Sequence, residues 1–480
     1  MIFLATVSNK TLYSEQQESG TKPNVLFLFA DDFNAETFSF LGHPTVKTPT
    51  FDKLADEGVV FTNAYIQGSW VSAVCLSSRS MLNTGLSLWH AKNKVENAVK
   101  KQGTHTNIQE LALWAQRMKK AGYTTYFSGK WHVPNIEPED VFDRIGKYYP
   151  GGMPPTVDSA YDRPYENKPD SWSPSDRNIP GYWENGKHRS EIQADIVIDL
   201  LSEASKRSEP FFIYAAFNAP HDPRQSPKEF LDEYPLDKID VPKNFLPEYT
   251  WNEEVGAPRS LHGEKLAPFP RTEFAIKTHR KEYDAIITHL DSQIARILDA
   301  LRSSGKIDNT YIVFAADNGM AMGEHGLMAK QSMYEHSLKV PLFVIGRGIP
   351  KAKQIKTPVY LHDIVPTILE IADADYHDAV DFQSLLPLIH NEKEQQYQSL
   401  YGAYQDLTRM VRRENYKLIV IRKAKKILLF DIIADPWEMN DLSEKEENIP
   451  LVRSLFQELQ KLQIQYNDTL DIQKDFPQWF

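Results

Sequence analysis

"NVLFLFADD", residues 24–32, decides the fold. A continuous apolar run without polar alternation belongs to a strand buried on both faces, as in a parallel sheet. This run delivers two acidic residues, Asp31 and Asp32, at its C-terminal end. Similar runs recur at "TTYFSG" (124–129), "PFFIYAAF" (210–217), "TYIVFAAD" (310–317) and "VPLFVIG" (340–346). Helical patterns lie between them near 105–120, 190–207 and 280–302. In the last, Tyr283, Ile286, Ile287, Leu290, Ile294, Ile297, Leu298 and Leu301 keep helical spacing. Strands alternating with helices predict an α/β domain built on a large, mainly parallel sheet flanked by helices. Ligands of such sheets bind beyond the carboxyl ends of the strands. The polar clusters fall at those ends: Asp31 and Asp32, "GKWH" (129–132), "APHDP" (219–223) and "ADNG" (316–319).

The 480 residues suit one large domain with a smaller appendage. A net charge of −11 argues against nucleic acid as a bulk partner, because no broadly basic face is available. A small anion in a local basic pocket stays compatible with it. The single cysteine, Cys75, excludes an internal disulfide. No apolar run approaches the roughly 18 residues of a membrane span. "MIFLATVSNKTL" at the N-terminus is briefly apolar without a basic leader, so residues 1–22 are expected to be a disordered tail or a signal-peptide remnant. Residues 147–188 and 218–277 have the composition of long loops, which in a compact enzyme tend to wall a site. After about 385 the pattern changes to short strands and a helix at 449–466. The expected organisation is a catalytic domain over 23–385 and a smaller antiparallel subdomain over 386–480.

Asp31, Asp32, Asp317 and Asn318 would bring oxygen donors together at the sheet edge, a set suited to Ca²⁺ or Mg²⁺. Lys130, His132, His221 and Lys330 lie after inferred strands or in the loops beside them. With a divalent metal they would form a site for a tetrahedral oxyanion such as sulfate or phosphate. Cys75 opens an inferred helix, where backbone N–H groups and the helix dipole attract negative charge, and Arg79 stands one turn further on. Thiolates pair poorly with hard oxygen-bound metals, which suggests that Cys75 is not used as a cysteine. Trp172, Tyr182 and Trp183 either stack on sugar faces or pack their loop onto the body. Arg259, His262, Lys265, Arg271, Lys277 and Arg280, with the basic residues at 409–426, are candidates to meet further sulfates or carboxylates; Arg412, Arg413 and Lys417 read equally as solvated strand faces.

The chain resembles the type I, formylglycine-dependent sulfatases of the alkaline phosphatase superfamily. The resemblance runs almost end to end, through "KPNVLFLFADD", "KTPTFDKLADEGVVFTNAY", "CLSSRSMLNTG", "GKWH", "APHDP", "YDAIITHLDSQIARILDAL", "ADNGMAMGEHGLMAK", "VPLFVIG" and "LLFDIIADPWEMNDL". It implies an alkaline-phosphatase-like fold, with Cys75 oxidised to Cα-formylglycine by a maturation enzyme. It also implies one Ca²⁺ held by Asp31, Asp32, Asp317, Asn318 and the modified Cys75. Arg79 would steady the nucleophile, and Lys130 and Lys330 would hold sulfate oxygens. His132 would assist breakdown of the sulfated intermediate, and His221, together with Lys330, would protonate the leaving alcohol. The chain is most similar in flavour to bacterial polysaccharide sulfatases of the choline-sulfatase and iduronate-sulfatase branch. That implies a sulfated carbohydrate substrate, algal (ulvan, carrageenan) or glycosaminoglycan, and a periplasmic or secreted location. The alternatives are a phosphonate or phosphodiester hydrolase of the same superfamily, against which Asn318 speaks, and a non-catalytic binder of sulfated glycans. Three departures stand out: Ser77 where Pro or Ala is usual, Leu86 where Arg is common, and Val133-Pro134 after "GKWH". The first two bear on maturation, the third on the local loop.

Overall fold

A computed structural model describes residues 21–98, 111–376 and 380–479. The expected tail lies outside the described residues except for Thr21 and Lys22, as do positions 105–110 of the first expected helix.

The large sheet has eight strands: β1 (Asn24–Asp31), β2 (Val59–Phe61), β3 (Thr124–Lys130), β4 (Arg144–Tyr149), β5 (Phe211–Pro220), β6 (Thr310–Ala316), β7 (Leu342–Ile345) and β8 (Lys353–Ile355). Their order is β8-β2-β7-β6-β1-β5-β3-β4. β1 is central and pairs in parallel with β6 and β5, and β5 pairs in parallel with β3. β7, from the "VPLFVIG" run, is antiparallel to both its neighbours. Alternate residues of β1 enter two separate cores. Leu26, Leu28 and Ala30 pack with Ile286, Ile287, Leu290, Val197 and Leu201. Val25, Phe27 and Phe29 pack with Met81, Leu82 and Trp114 on the other face. Burial on both faces is why the strand carries no polar alternation.

The helices follow the apolar spacing. Glu273–Ser303 begins earlier than the stripe alone indicates, because Thr272 caps it by accepting from the Ala275 N–H at 3.2 Å. Arg189–Ser205 packs beside it, and Trp114–Lys120 lies on the opposite face. The C-terminal strands β9 (Ser399–Tyr404), β10 (Thr408–Arg413), β11 (Tyr416–Ile421) and β12 (Lys426–Asp431) form an antiparallel meander. A fifth strand of that sheet, Gly68–Ser69, comes from the segment leading to Cys75 and joins β9 in parallel. Helix Ile449–Gln465 packs against the meander. One apolar cluster runs from β1 through the Cys75 helix into this small sheet.

Candidate active site

The carboxyl ends of four neighbouring strands build the site. β1 ends at Asp31, opposite Pro220 at the end of β5, which sets Asp32 and His221 side by side. β6 ends at Ala316, and the Asp317 N–H donates to the Ala30 carbonyl at 3.3 Å. β3 ends at Lys130. Gly129 before it has φ +106, and a Cβ there would stand 1.7 Å from the Ala216 oxygen of β5, so only glycine lets β3 bend in at this point. Asp32 (φ 63) and His132 (φ 56) are non-glycine residues in the left-handed region. Such conformations concentrate where surrounding structure enforces a functional geometry.

The nucleophile position lies on helix Val74–Thr84, whose second residue is Cys75. No side chain caps this helix, leaving first-turn N–H groups for an anion. The Cys75 Sγ lies 3.3 Å from His132 Nδ1 and 3.6 Å from Lys130 Nζ. Burial pushes the Cys75 thiol up despite Lys130 and Lys330, so the unmodified side chain is a poor nucleophile. Ser77 Oγ lies 2.7 Å from Ser69 Oγ, which itself donates to the Val71 carbonyl at 2.7 Å, so Ser77 is the donor. The serine at this unusual position ties the loop before the nucleophile. Gln331 Nε2 secures the same loop by donating to the Ser72 carbonyl at 2.7 Å.

Three carboxylates and three cations interlock in this cup. Arg79 Nε donates to Asp317 Oδ2 at 2.8 Å and Nη1 to the Lys130 carbonyl at 2.7 Å, with the guanidinium 4.9 Å from the centre of the Phe29 ring. Lys130 Nζ pairs with Asp31, and Lys330 Nζ with Asp32. Asn318 Nδ2 donates to Asp32 Oδ1 at 2.7 Å. Burial resists ionisation of Asp31, but Lys130 and His221 outweigh it and hold the carboxyl below its ordinary range. Asp317 is raised by burial and by the Asp31 charge. Against burial, Asp31 keeps Lys130 charged and Asp32 keeps Lys330 charged. Burial and the charges of Lys130 and Arg79 drive His132 far down, so its imidazole is neutral. His221 donates Nδ1–H to the Asp222 carbonyl at 2.8 Å, and its Nε2 lies 3.5 Å from Asp32 Oδ2.

The ten residues read from the sequence as catalytic groups or metal ligands converge here: Asp31, Asp32, Cys75, Arg79, Lys130, His132, His221, Asp317, Asn318 and Lys330. The donors suit a hard cation. Asp31 Oδ1 and Asn318 Oδ1 are buried without a hydrogen-bond partner. Such atoms are costly unless something binds them, and Asp31 and Asp317 offer oxygens within 4.8 Å of each other and of the Cys75 sulfur.

Residues 23–374 match the protein family described as Sulfatase. The chain belongs to the sulfatase family. Residues 323–465 also match the family described as N-sulphoglucosamine sulphohydrolase, C-terminal. The sulfatase is 27% identical over 472 residues to a sulfatase of Formosa agariphila, covering 96% of this chain and 90% of that one. It is 26% identical over 542 residues to an N-acetylglucosamine-6-O-sulfatase of Bacteroides thetaiotaomicron, covering 97% and 90%. A structure solved in complex with its substrate D-glucosamine-2-N,6-O-disulfate superposes with a TM-score of 0.72 at 23% identity, covering 94% and 99%.

Other groups of this sulfatase are engaged in packing and ion pairs away from Cys75. Trp172, Tyr182 and Trp183 are buried and pack their loop onto the body. Arg412 donates to the Tyr65 hydroxyl, and Lys417 is fully buried between Glu335 and Glu438, so neither is a solvated strand face. Arg259 pairs with Glu248, Arg271 with Glu264, Lys277 with Glu273 and Arg280 with Glu324. Sequence reading missed Asp222, whose Oδ1 lies 3.2 Å from His221 Nδ1. It also missed a role for Tyr283, whose hydroxyl donates to the Asp32 carbonyl at 2.7 Å and accepts from the Asn34 N–H at 2.9 Å. Tyr283 looks like one more apolar residue in the helical stripe. Asp222 had a signal, its place beside His221 in "APHDP".

Proposed function

We propose that this sulfatase hydrolyses sulfate esters of a sugar, with Cys75 oxidised to Cα-formylglycine and one calcium ion held by Asp31, Asp32, Asp317, Asn318 and residue 75. The observation that carries the reading is the convergence of those oxygen donors, two of them orphaned, on a helix-opening Cys75 ringed by Arg79, Lys130, His132, His221 and Lys330. The Cys75 sulfur marks where the formylglycine oxygens would stand. When present, the two groups supply a hydrated-aldehyde nucleophile for sulfur and a divalent charge that neutralises the sulfate oxygens.

The chain's own residues do the rest. Lys130 and Lys330 present ammonium groups to the anion, and their charge is secured by the carboxylates beneath them. Arg79 fixes Asp317 and the end of β3 with separate donors. The neutral imidazole of His132 can accept a proton at Nδ1 from residue 75. His221, whose Nδ1–H is engaged by Asp222, offers Nε2–H to the leaving oxygen. A sugar alcohol is a poor leaving group and needs that proton as the S–O bond breaks.

The sugar substrate is supported by the relatives named for N-acetylglucosamine 6-O-sulfate and for glucosamine disulfate, which align over nearly the whole chain. Export to the periplasm or beyond, and a formylglycine-generating maturation enzyme as partner, are supported by the family resemblance. Among the described residues no helix is long and apolar enough to cross a membrane. The test is sulfate release, followed by ion chromatography, from a panel of sulfated hexosamines and algal or glycosaminoglycan oligosaccharides, with an aryl sulfate and a phosphonate monoester beside them. Release from a saccharide supports the reading. Turnover confined to the aryl sulfate or the phosphonate overturns it.

A further inference from the structure

Tyr182 belongs to the long loop whose aromatic residues are buried, yet its hydroxyl reaches the turn that carries His221. Its single proton is shared between the carbonyl oxygens of Asn218 at 2.7 Å and His221 at 2.9 Å. The His221 N–H closes the same turn on the Asn218 carbonyl at 3.0 Å. One phenol therefore brackets both ends of a four-residue segment at the end of β5. Tyr182 is itself immobilised: it is fully buried, its ring stacks on His188 with centroids 4.8 Å apart, and its N–H donates to Gln225 Oε1 at 2.6 Å. His188 Nε2 donates to the Gln225 carbonyl at 3.0 Å, closing a platform of three residues under the turn.

We propose that Tyr182 is a positioning residue for the leaving-group acid, holding the His221 backbone so that Nε2 points at the departing sugar oxygen. This rests on the reading of His221 as that acid. The step served is a proton transfer. As the bond from sulfur to the leaving oxygen breaks, its electron pair stays on that oxygen, which takes the proton from His221 Nε2. The imidazole is left neutral, with Nδ1–H still on the Asp222 carbonyl. Without the phenol the His221 carbonyl loses its donor, and the backbone that carries the ring keeps only the N–H bond to Asn218, so the position of Nε2 is less closely fixed. Misplacement of a catalytic group by about 1 Å costs about a hundredfold in rate, and loosening one backbone anchor is expected to cost about tenfold.

The test compares Tyr182→Phe with His221→Ala on two substrates, a sugar sulfate with an alkyl leaving group and 4-nitrocatechol sulfate, whose phenol leaves without a proton. The ratio of kcat/KM on the sugar sulfate to kcat/KM on the aryl sulfate is the readout, since any loss of folded or matured enzyme cancels in it. Phenylalanine keeps the ring stacked on His188 and removes only the oxygen. The proposal predicts that His221→Ala collapses the ratio, and that Tyr182→Phe lowers it about tenfold through kcat with KM little changed. A Tyr182→Phe ratio equal to wild type, while His221→Ala collapses, overturns the positioning role and leaves His221 as the acid. An unchanged ratio in His221→Ala overturns both.

Discussion

Removing Arg79 probes the site's electrostatic balance, because the structure gives a sign and a size for the result. Three carboxylates (Asp31, Asp32, Asp317) face three cations (Arg79, Lys130, Lys330), and all six are buried. Arg79→Met keeps most of the volume but leaves three negative charges against two positive ones, with Asp317 Oδ2 stripped of its partner. Breaking a buried pair from one side costs about 3–5 kcal/mol, whereas removing both charges together is often close to neutral. The double variant Arg79→Met/Asp317→Asn keeps two carboxylates against two ammonium groups, and its Asn oxygen can still accept the Asp32 N–H. Equilibrium urea unfolding in the presence of a calcium chelator isolates the chain's own charges. The single variant is expected to lose about 3–5 kcal/mol and the double variant no more than about 2, so that removing the second charge recovers at least about 1 kcal/mol. Both are expected to be inactive. A single variant costing less than about 1 kcal/mol, the range of an exposed pair, would refute the reasoning. So would a double variant as unstable as the single one.

Further outcomes follow from the same structure. Cys75→Ala is expected to abolish sulfate release while leaving the unfolding midpoint within about 1 kcal/mol of wild type, since it removes one small buried group; unfolding and turnover measured on one preparation check it. Calcium is expected to restore activity to chelator-treated enzyme, and at a hundredfold excess over its Kd to stabilise the fold by about 2.7 kcal/mol; full activity in protein shown by elemental analysis to be metal-free would contradict this. Asp284, buried on the long helix with the Thr45 hydroxyl donating at 2.6 Å, is raised by burial from 3.8 to about 6. The folded state thus holds this proton more tightly than the unfolded chain. The associated stability is complete below pH 3.8 and is lost as pH rises through about 6, a change of about 3 kcal/mol that Asp284→Asn should flatten. Urea midpoints between pH 4 and 7 read it directly.

Much of this was legible in the chain because the architecture writes itself in apolar runs. β1, β5 and β6 are buried on both faces, so each appears as a continuous hydrophobic segment, and the polar residue it delivers lies at its end or just beyond it. The antiparallel course of β7 was not legible, since a buried strand looks the same in either direction. Neither was the fifth strand of the small sheet, because Gly68–Ser69 carries no strand signal and forms by pairing with Tyr404 across more than 300 positions of sequence. Surface and buried charge were equally hard to separate. Lys417 follows Arg412 and Arg413 in a charged stretch that reads as solvated, and only the tertiary fold places Glu335 and Glu438 around it. Tyr182 reads as a loop aromatic, and its hydrogen bonds to the His221 turn depend on β5 ending opposite it.

The central claim is that residue 75 acts as formylglycine within this cup. A mass spectrum of the peptide carrying residue 75, taken from enzyme already shown to release sulfate, tests it most directly. An aldehyde or its hydrate is expected at that position. An intact thiol in protein that turns over would contradict it.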